Sequence, residues 1–155
     1  MDLPKDTDRV LPRNLIRRFD HAGIAVRDVD DVLKVYQDVL GAKMLGYKEM
    51  GTTSDYTFTQ VELGGQKFEF ISPIDNMSDN FLTRFIEKHG EGLHHLTFQV
   101  SDIRKAVDYL EERGVRIVDE FFEDPLWRTA FISPRSSRGV LIQLYDTTVG
   151  SRYDH

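Results

Sequence analysis

Cysteine is absent from the 155 residues. That excludes a disulfide framework and a thiolate metal site, so any metal must rest on histidine, carboxylate or amide ligands. No segment approaches the roughly 20 apolar residues of a bilayer span, and no membrane association is expected. The first stretch, MDLPKDTDRVLPRNLIRR, lacks the apolar core of a signal peptide, which makes a cytoplasmic protein the expectation. Basic residues are in the minority, 20 Lys and Arg against 26 Asp and Glu for a net charge of -6, with no dense basic run. Nucleic acid is therefore not an expected partner.

What is present is an internal repeat. FDHAGIAVRDVDDVLKVY, from Phe19, matches HHLTFQVSDIRKAVDYL, from His94, when His21 is laid on His95, 74 residues later. At that offset Val26 meets Val100, Asp28 meets Asp102, Val29 meets Ile103 and Leu33 meets Val107. Each copy opens on a strand with period-two alternation. Asp28 and Asp102 then stand where helix N-caps belong, and the apolar positions after them keep helical spacing. Gly41 and Gly114 stop the two helices. Downstream, LGGQKFEFIS faces SRGVLIQLYD, with Glu69 on Gln143 at the same offset. Gly64-Gly65 marks a hairpin between strands at about 55 to 63 and 66 to 72.

Each module thus reads strand, helix, three strands. The organisation is an N-terminal arm at 1–18, a first βαβββ module at 19–73, a connecting helix at 74–92, a second module at 93–146 and a tail at 147–155. The whole is one compact domain of α+β class.

Strand parity selects the chemistry. His21, Gly23 and Ala25 share one face of the first strand, as do His95, Thr97 and Gln99 in the second copy, while His94 shares parity with Leu96 and Phe98 and reads as a core or interface histidine. Glu69, between Phe68 and Phe70, and Gln143, between Ile142 and Leu144, interrupt apolar strands, and a buried carboxylate needs a partner to offset its desolvation. In each module the histidine precedes the Glu or Gln by 48 residues. Two modules related by a two-fold axis would bring His21, Glu69, His95 and Gln143 to one cleft. Two imidazoles, one carboxylate and one amide oxygen suit a single divalent transition metal, and this donor set accepts zinc, cobalt, nickel, manganese or iron. Counting outward from Gly64-Gly65 pairs Gln60 with Glu69, making Gln60 a candidate orienter of substrate or ligand. The stretch EFFEDPLWRTAF places Trp127 and Arg128 at a loop over the cleft, where they are candidates for closing on a substrate and attracting its carboxylate or phosphate.

These segments resemble the vicinal oxygen chelate superfamily, paired βαβββ modules that wrap a metal in a cup-shaped mixed sheet. DHAGIAV, KFEFISPI, GEGLHHLTFQVSDI and FISPRSSRGVLIQL are most similar to methylmalonyl-CoA epimerases. The resemblance implies the metal ligands His21, Glu69, His95 and Gln143, a homodimer, and epimerisation alpha to the carbonyl of a 2-methyl-branched acyl-CoA thioester, with Glu69 as a catalytic proton-transfer group. The family usually carries glutamate at the position of Gln143, and an amide cannot accept the proton. A glyoxalase I-like lyase acting on a glutathione adduct, a non-haem iron dioxygenase and a metal-free ligand-binding module of the resistance type remain alternatives.

Overall fold

The computed structural model describes residues 15–147, so the tail beyond Thr147 and the arm up to Asn14 lie outside the described residues. The repeat folds twice into the same unit. In the first, β1 (Ile16–Ala25) leads into α1 (Val29–Leu33), which continues as a π-helical segment (Lys34–Val39) and is followed by β2 (Lys43–Met50), β3 (Tyr56–Leu63) and β4 (Gln66–Pro73). The connecting helix is α2 (Phe81–His89). In the second unit β5 (Gly92–Val100) and α3 (Ile103–Glu111) precede β6 (Ile117–Phe121), β7 (Arg128–Ile132) and β8 (Leu141–Asp146). β1 starts three residues ahead of the boundary expected at Phe19, because Ile16 and Arg18 pair with Val100 and Gln99 of β5.

The predicted caps form. Asp28 accepts from Asp30 N, and Asp102 accepts from Arg104 N and Lys105 N. Asn80 caps α2 in a reciprocal box with Thr83. Each satisfies donors that the first helical turn cannot pair internally.

All eight strands join one sheet in the order β2-β3-β4-β1-β5-β8-β7-β6. The two halves meet at the antiparallel pair β1 and β5, and each half contributes one parallel contact, β1 with β4 and β5 with β8. This is the pair of βαβββ modules in a mixed sheet that the repeat predicts. One face carries α1 and α3 over two cores that obey the 74-residue offset: Val26, Val29, Leu33 and Phe70 in the first, Val100, Ile103, Val107 and Leu144 in the second. Burying each such side chain contributes about 1.5–3 kcal/mol. On the opposite face α2 packs Leu82 and Ile86 against Ala25 and Ile71, leaving the rest of that face to the polar residues between the modules. No helix of the described residues is long and apolar enough to cross a membrane.

Candidate metal centre

The two-fold relation between β1 and β5 sets His21 opposite Thr97 and Gly23 opposite His95. Gly23 also neighbours Glu69 on β4, and Thr97 neighbours Gln143 on β8. All these positions share the face away from α1 and α3, so the strand register alone sets the four predicted ligands on one side of the central strands.

Three of them converge closely. His21 Nε2 lies 3.4 Å from His95 Nε2 and 3.5 Å from Glu69 Oε2. One donor atom from each of His21, Glu69 and His95 falls within 4.8 Å of the others. Both histidines are buried, at 3% and 5% exposure. Two ligands on one ion at bond lengths near 2.1 Å and a tetrahedral angle stand about 3.4 Å apart, which is the spacing seen. Without a cation or a proton between them, two imidazole lone pairs at this distance repel. The donor set therefore fits a divalent metal.

Neighbouring groups fix which nitrogen each ring presents. Two of the three bulges in the β1–β5 ladder fall at Asp20 on β1 and at His94 on β5, each an extra residue against the partner strand, and these two positions are again 74 apart. A bulge re-aims the side chain it carries. Asp20 Oδ2 accepts from His21 Nδ1 at 2.7 Å, leaving the Nε2 lone pair for the cluster. Burial works against the Asp20 charge, but hydrogen bonds from His21 and Tyr145 and the nearby Lys67 ammonium outweigh it and hold the carboxyl well below the usual range. His94 Nδ1 lies 2.9 Å from His95 Nδ1. Burial, and secondarily the charges of His21 and His94, push His95 well below its ordinary range, and burial pushes His94 down to about 4, so both rings are neutral. With the shared proton on His95 Nδ1, its Nε2 also faces the cluster unprotonated. Such partners orient metal-binding imidazoles and raise their basicity.

The bulge corrects the expectation for His94. It does not follow Leu96 and Phe98; it packs its ring against Phe85 and Phe81 of α2, 4.7 and 6.0 Å between centroids. Simple alternation fails wherever a strand gains a residue, and nothing in the local sequence marks this one.

Gln60 pairs with Glu69 as the hairpin count predicts and donates to its Oε2 at 2.7 Å. Gln143 stands one hydroxyl away from the trio. Its Oε1 accepts from Thr97 Oγ1 at 3.0 Å, and the same hydroxyl lies 3.1 Å from His21 Nε2. Its Nε2 donates to Thr129 Oγ1 at 3.1 Å. Thr97 was visible in the sequence through its parity with His95, but a threonine on a strand carries no signal of its own.

Trp127 stacks on Tyr145, 4.2 Å between centroids at 19°, and Tyr145 hydrogen-bonds Asp20 at 2.6 Å. Trp127 therefore supports the shell behind His21. Arg128 is the residue the structure separates from the others. It forms a two-point ion pair with Asp146, 2.7 Å from Nε to Oδ1 and closer still from its terminal nitrogen. Asp146 also accepts from Ile103 N at the start of α3. Arg128 thus lies on the helix-bearing face, a consequence of odd spacing from Thr129, and its guanidinium serves the fold.

Gly23 has a local reason. A Cβ there would overlap the His95 imidazole. The glycine lets a neighbouring strand's ring lie flat over the backbone, a close approach no other residue permits.

The chain is similar in sequence and fold to known proteins. A chain from Bacillus subtilis, the uncharacterized protein YqjC, is 31% identical over 142 residues, covering 90% of this chain and 99% of that protein. The mitochondrial methylmalonyl-CoA epimerase of Mus musculus is 31% identical over 133 residues, covering 82% and 71%. The crystal structure of methylmalonyl-CoA epimerase from Mycobacterium tuberculosis matches with a TM-score of 0.74, 28% identity, and coverage of 91% and 95%. Residues 20–131 match the profile described as glyoxalase/bleomycin resistance protein/dioxygenase superfamily, and the chain belongs to that superfamily.

Proposed function

We propose that this chain is a metal-dependent epimerase acting alpha to the carbonyl of a 2-methyl-branched acyl-CoA thioester, of which methylmalonyl-CoA is the representative. The observation that carries the reading is the convergence of His21, Glu69 and His95 on one point, in a chain similar to methylmalonyl-CoA epimerases. His21, Glu69 and His95 would hold a zinc, cobalt, nickel, manganese or iron ion, with Gln143, linked to them through Thr97, as the fourth ligand. When bound, the ion supplies positive charge beside the thioester oxygen on which enolate charge collects. Glu69 is the proton-transfer group in this reading, held in place by Gln60. Gln60 would face the substrate in the cleft, and Trp127 would act through Tyr145 and Asp20, which back His21. A cytoplasmic homodimer is the state that goes with this activity, and sedimentation of the purified chain tests the dimer.

Solvent deuterium entering C2 of methylmalonyl-CoA, in protein shown to hold metal, is the expected result. No incorporation above the uncatalysed rate would end the reading. A second reading has its own observation: two histidines and one carboxylate, with Gln143 engaged elsewhere, make the triad of non-haem iron oxygenases. Oxygen consumption by the iron-loaded protein with a catechol, in the absence of deuterium exchange, would favour it.

A further inference from the structure

Epimerisation needs a proton taken from one face of a carbon and another delivered to the opposite face. Glu69 accounts for one side, and Gln143, the two-fold mate of Glu69, is an amide that cannot serve as a general base or acid. The second group is legible on β2.

β2 bulges between Gly46 and Glu49, where three residues of β2 run against two of β3. Lys48 lies there at φ 45°, a left-handed conformation rare for a side-chain-bearing residue. The bulge is pinned from outside: Tyr47 Oη and Lys48 Nζ both donate to Asp30 at the start of α1, at 2.6 and 2.9 Å, and Lys48 N donates to Thr59 Oγ1 at 2.9 Å. The effect is on the next residue. Glu49 pairs with Phe58, and Gly46 pairs with Gln60, so both positions belong to the face that carries Gln60 and Glu69.

The Glu49 side chain folds back along that face over Gly46. A Cβ at Gly46 would lie 3.2 Å from Glu49 Cδ and 3.3 and 3.4 Å from its two oxygens. The glycine thus leaves open the space into which the carboxylate leans. Along the row the order is Glu49 over Gly46, then Gln60, then Glu69, with adjacent strands about 4.8 Å apart. Gln60, 3% exposed, gives its Nε2 to Glu69 while its buried Oε1 has no hydrogen-bond partner among the described residues. An orphaned buried acceptor costs about 1–3 kcal/mol, and a donor arriving with a ligand removes that cost. A substrate group seated over Gln60 would have a carboxylate on either side.

We infer that Glu49 is the second catalytic proton-transfer residue. This rests on the epimerase reading above. With the thioester bound, the Glu49 carboxylate forms an O–H bond as the alpha C–H bond breaks, and the C–H electron pair passes to the carbonyl as the enolate. The enolate then takes the proton held on the Glu69 carboxyl, whose O–H bond breaks as C–H re-forms on the opposite face, leaving Glu69 ionised. In the reverse direction the two carboxylates exchange roles, and Glu49, exposed on an edge strand, exchanges its proton with solvent.

The test is Glu49→Gln assayed in D₂O with each C2 epimer of methylmalonyl-CoA separately, with metal content measured on the same samples. The expected result is a loss of about 100-fold or more in deuterium entry from one epimer, metal content unchanged, and surviving exchange without inversion from the other. A smaller loss from both epimers, or loss of metal, overturns the role of Glu49 while leaving the epimerase reading in place. Absence of exchange in the unaltered protein overturns the epimerase reading, and the role of Glu49 falls with it. Glu49→Asp, one methylene shorter, should recover part of the lost exchange, which a merely structural role at an exposed edge would not require.

Discussion

The two modules share a scaffold and differ in the cleft, above all at three matched pairs of residues. Asp20 supports His21, where His94 supports His95. Gly23 opens space, where Thr97 fills it and bonds Gln143. Glu69 carries charge, where Gln143 is neutral. All anionic character of the centre thus comes from the first module, while the second supplies a ring, a hydroxyl and an amide. A duplicated frame fixes where ligands stand; the residues placed on it decide which half holds the cation and which half shapes the space beside it.

The sharpest way to break this comparison is to exchange the two residues that face the ligand histidines across the central strand pair. Gly23→Ala sets a methyl group into the His95 ring, and close packing leaves the ring no alternative position. Losing one ligand in this way should lower metal affinity on the order of 1,000-fold, about 4 kcal/mol. Thr97→Val replaces only the hydroxyl, by a methyl group of similar size, and should leave affinity within about tenfold. Titration with cobalt, read by its visible absorption, distinguishes them, and equal effects would mean that the two modules are interchangeable at this position.

A second comparison concerns the groups behind the rings. Asp20→Asn removes a buried charge that fixes the His21 tautomer, and His94→Phe removes a neutral acceptor from His95 while keeping an aromatic ring against Phe85. Changes at such supporting positions cost about 10–100-fold in metal affinity. We expect Asp20→Asn near the upper end and His94→Phe near the lower. The reverse order would show that the second module, not the first, dominates the electrostatics of the site.

The frame was legible because duplication writes it twice. His21 on His95, Val29 on Ile103 and Phe70 on Leu144 all land where the offset places them, and the Gly64-Gly65 hairpin pins Gln60 to Glu69 with no slip of register. What was not legible came from single inserted residues. The bulges at Asp20, at His94 and before Glu49 leave no compositional trace, yet each turns a side chain toward the cleft that plain alternation sends elsewhere. Arg128 is the opposite case: its charge invited a substrate role, and only the pairing of β7 with β8 reveals Asp146 as its partner.

The smallest expected effect tests whether Gln143 is a lost acid or a residue selected as an amide. Thr129 Oγ1 donates to Leu144 O at 2.8 Å, so its hydroxyl hydrogen is committed and it can only accept from Gln143 Nε2. In Gln143→Glu a carboxylate oxygen would face that acceptor, and Thr129 must either leave Leu144 O unpaired or tolerate the contact. An unsatisfied pair of this kind costs about 1–2 kcal/mol, a fall of about 3–6 °C in melting temperature for a domain of this size. Glu69→Gln meets no such conflict, since an amide oxygen still accepts from Gln60 Nε2, and should melt within about 2 °C of the parent in metal-free buffer. Adding a divalent metal should recover the lost stability of Gln143→Glu as its carboxylate gains a cation, and should raise that of Glu69→Gln less than the parent's. Scanning calorimetry with and without metal reads all three proteins. If Gln143→Glu melts as the parent does without metal, the second module would prove as ready to carry a charge as the first.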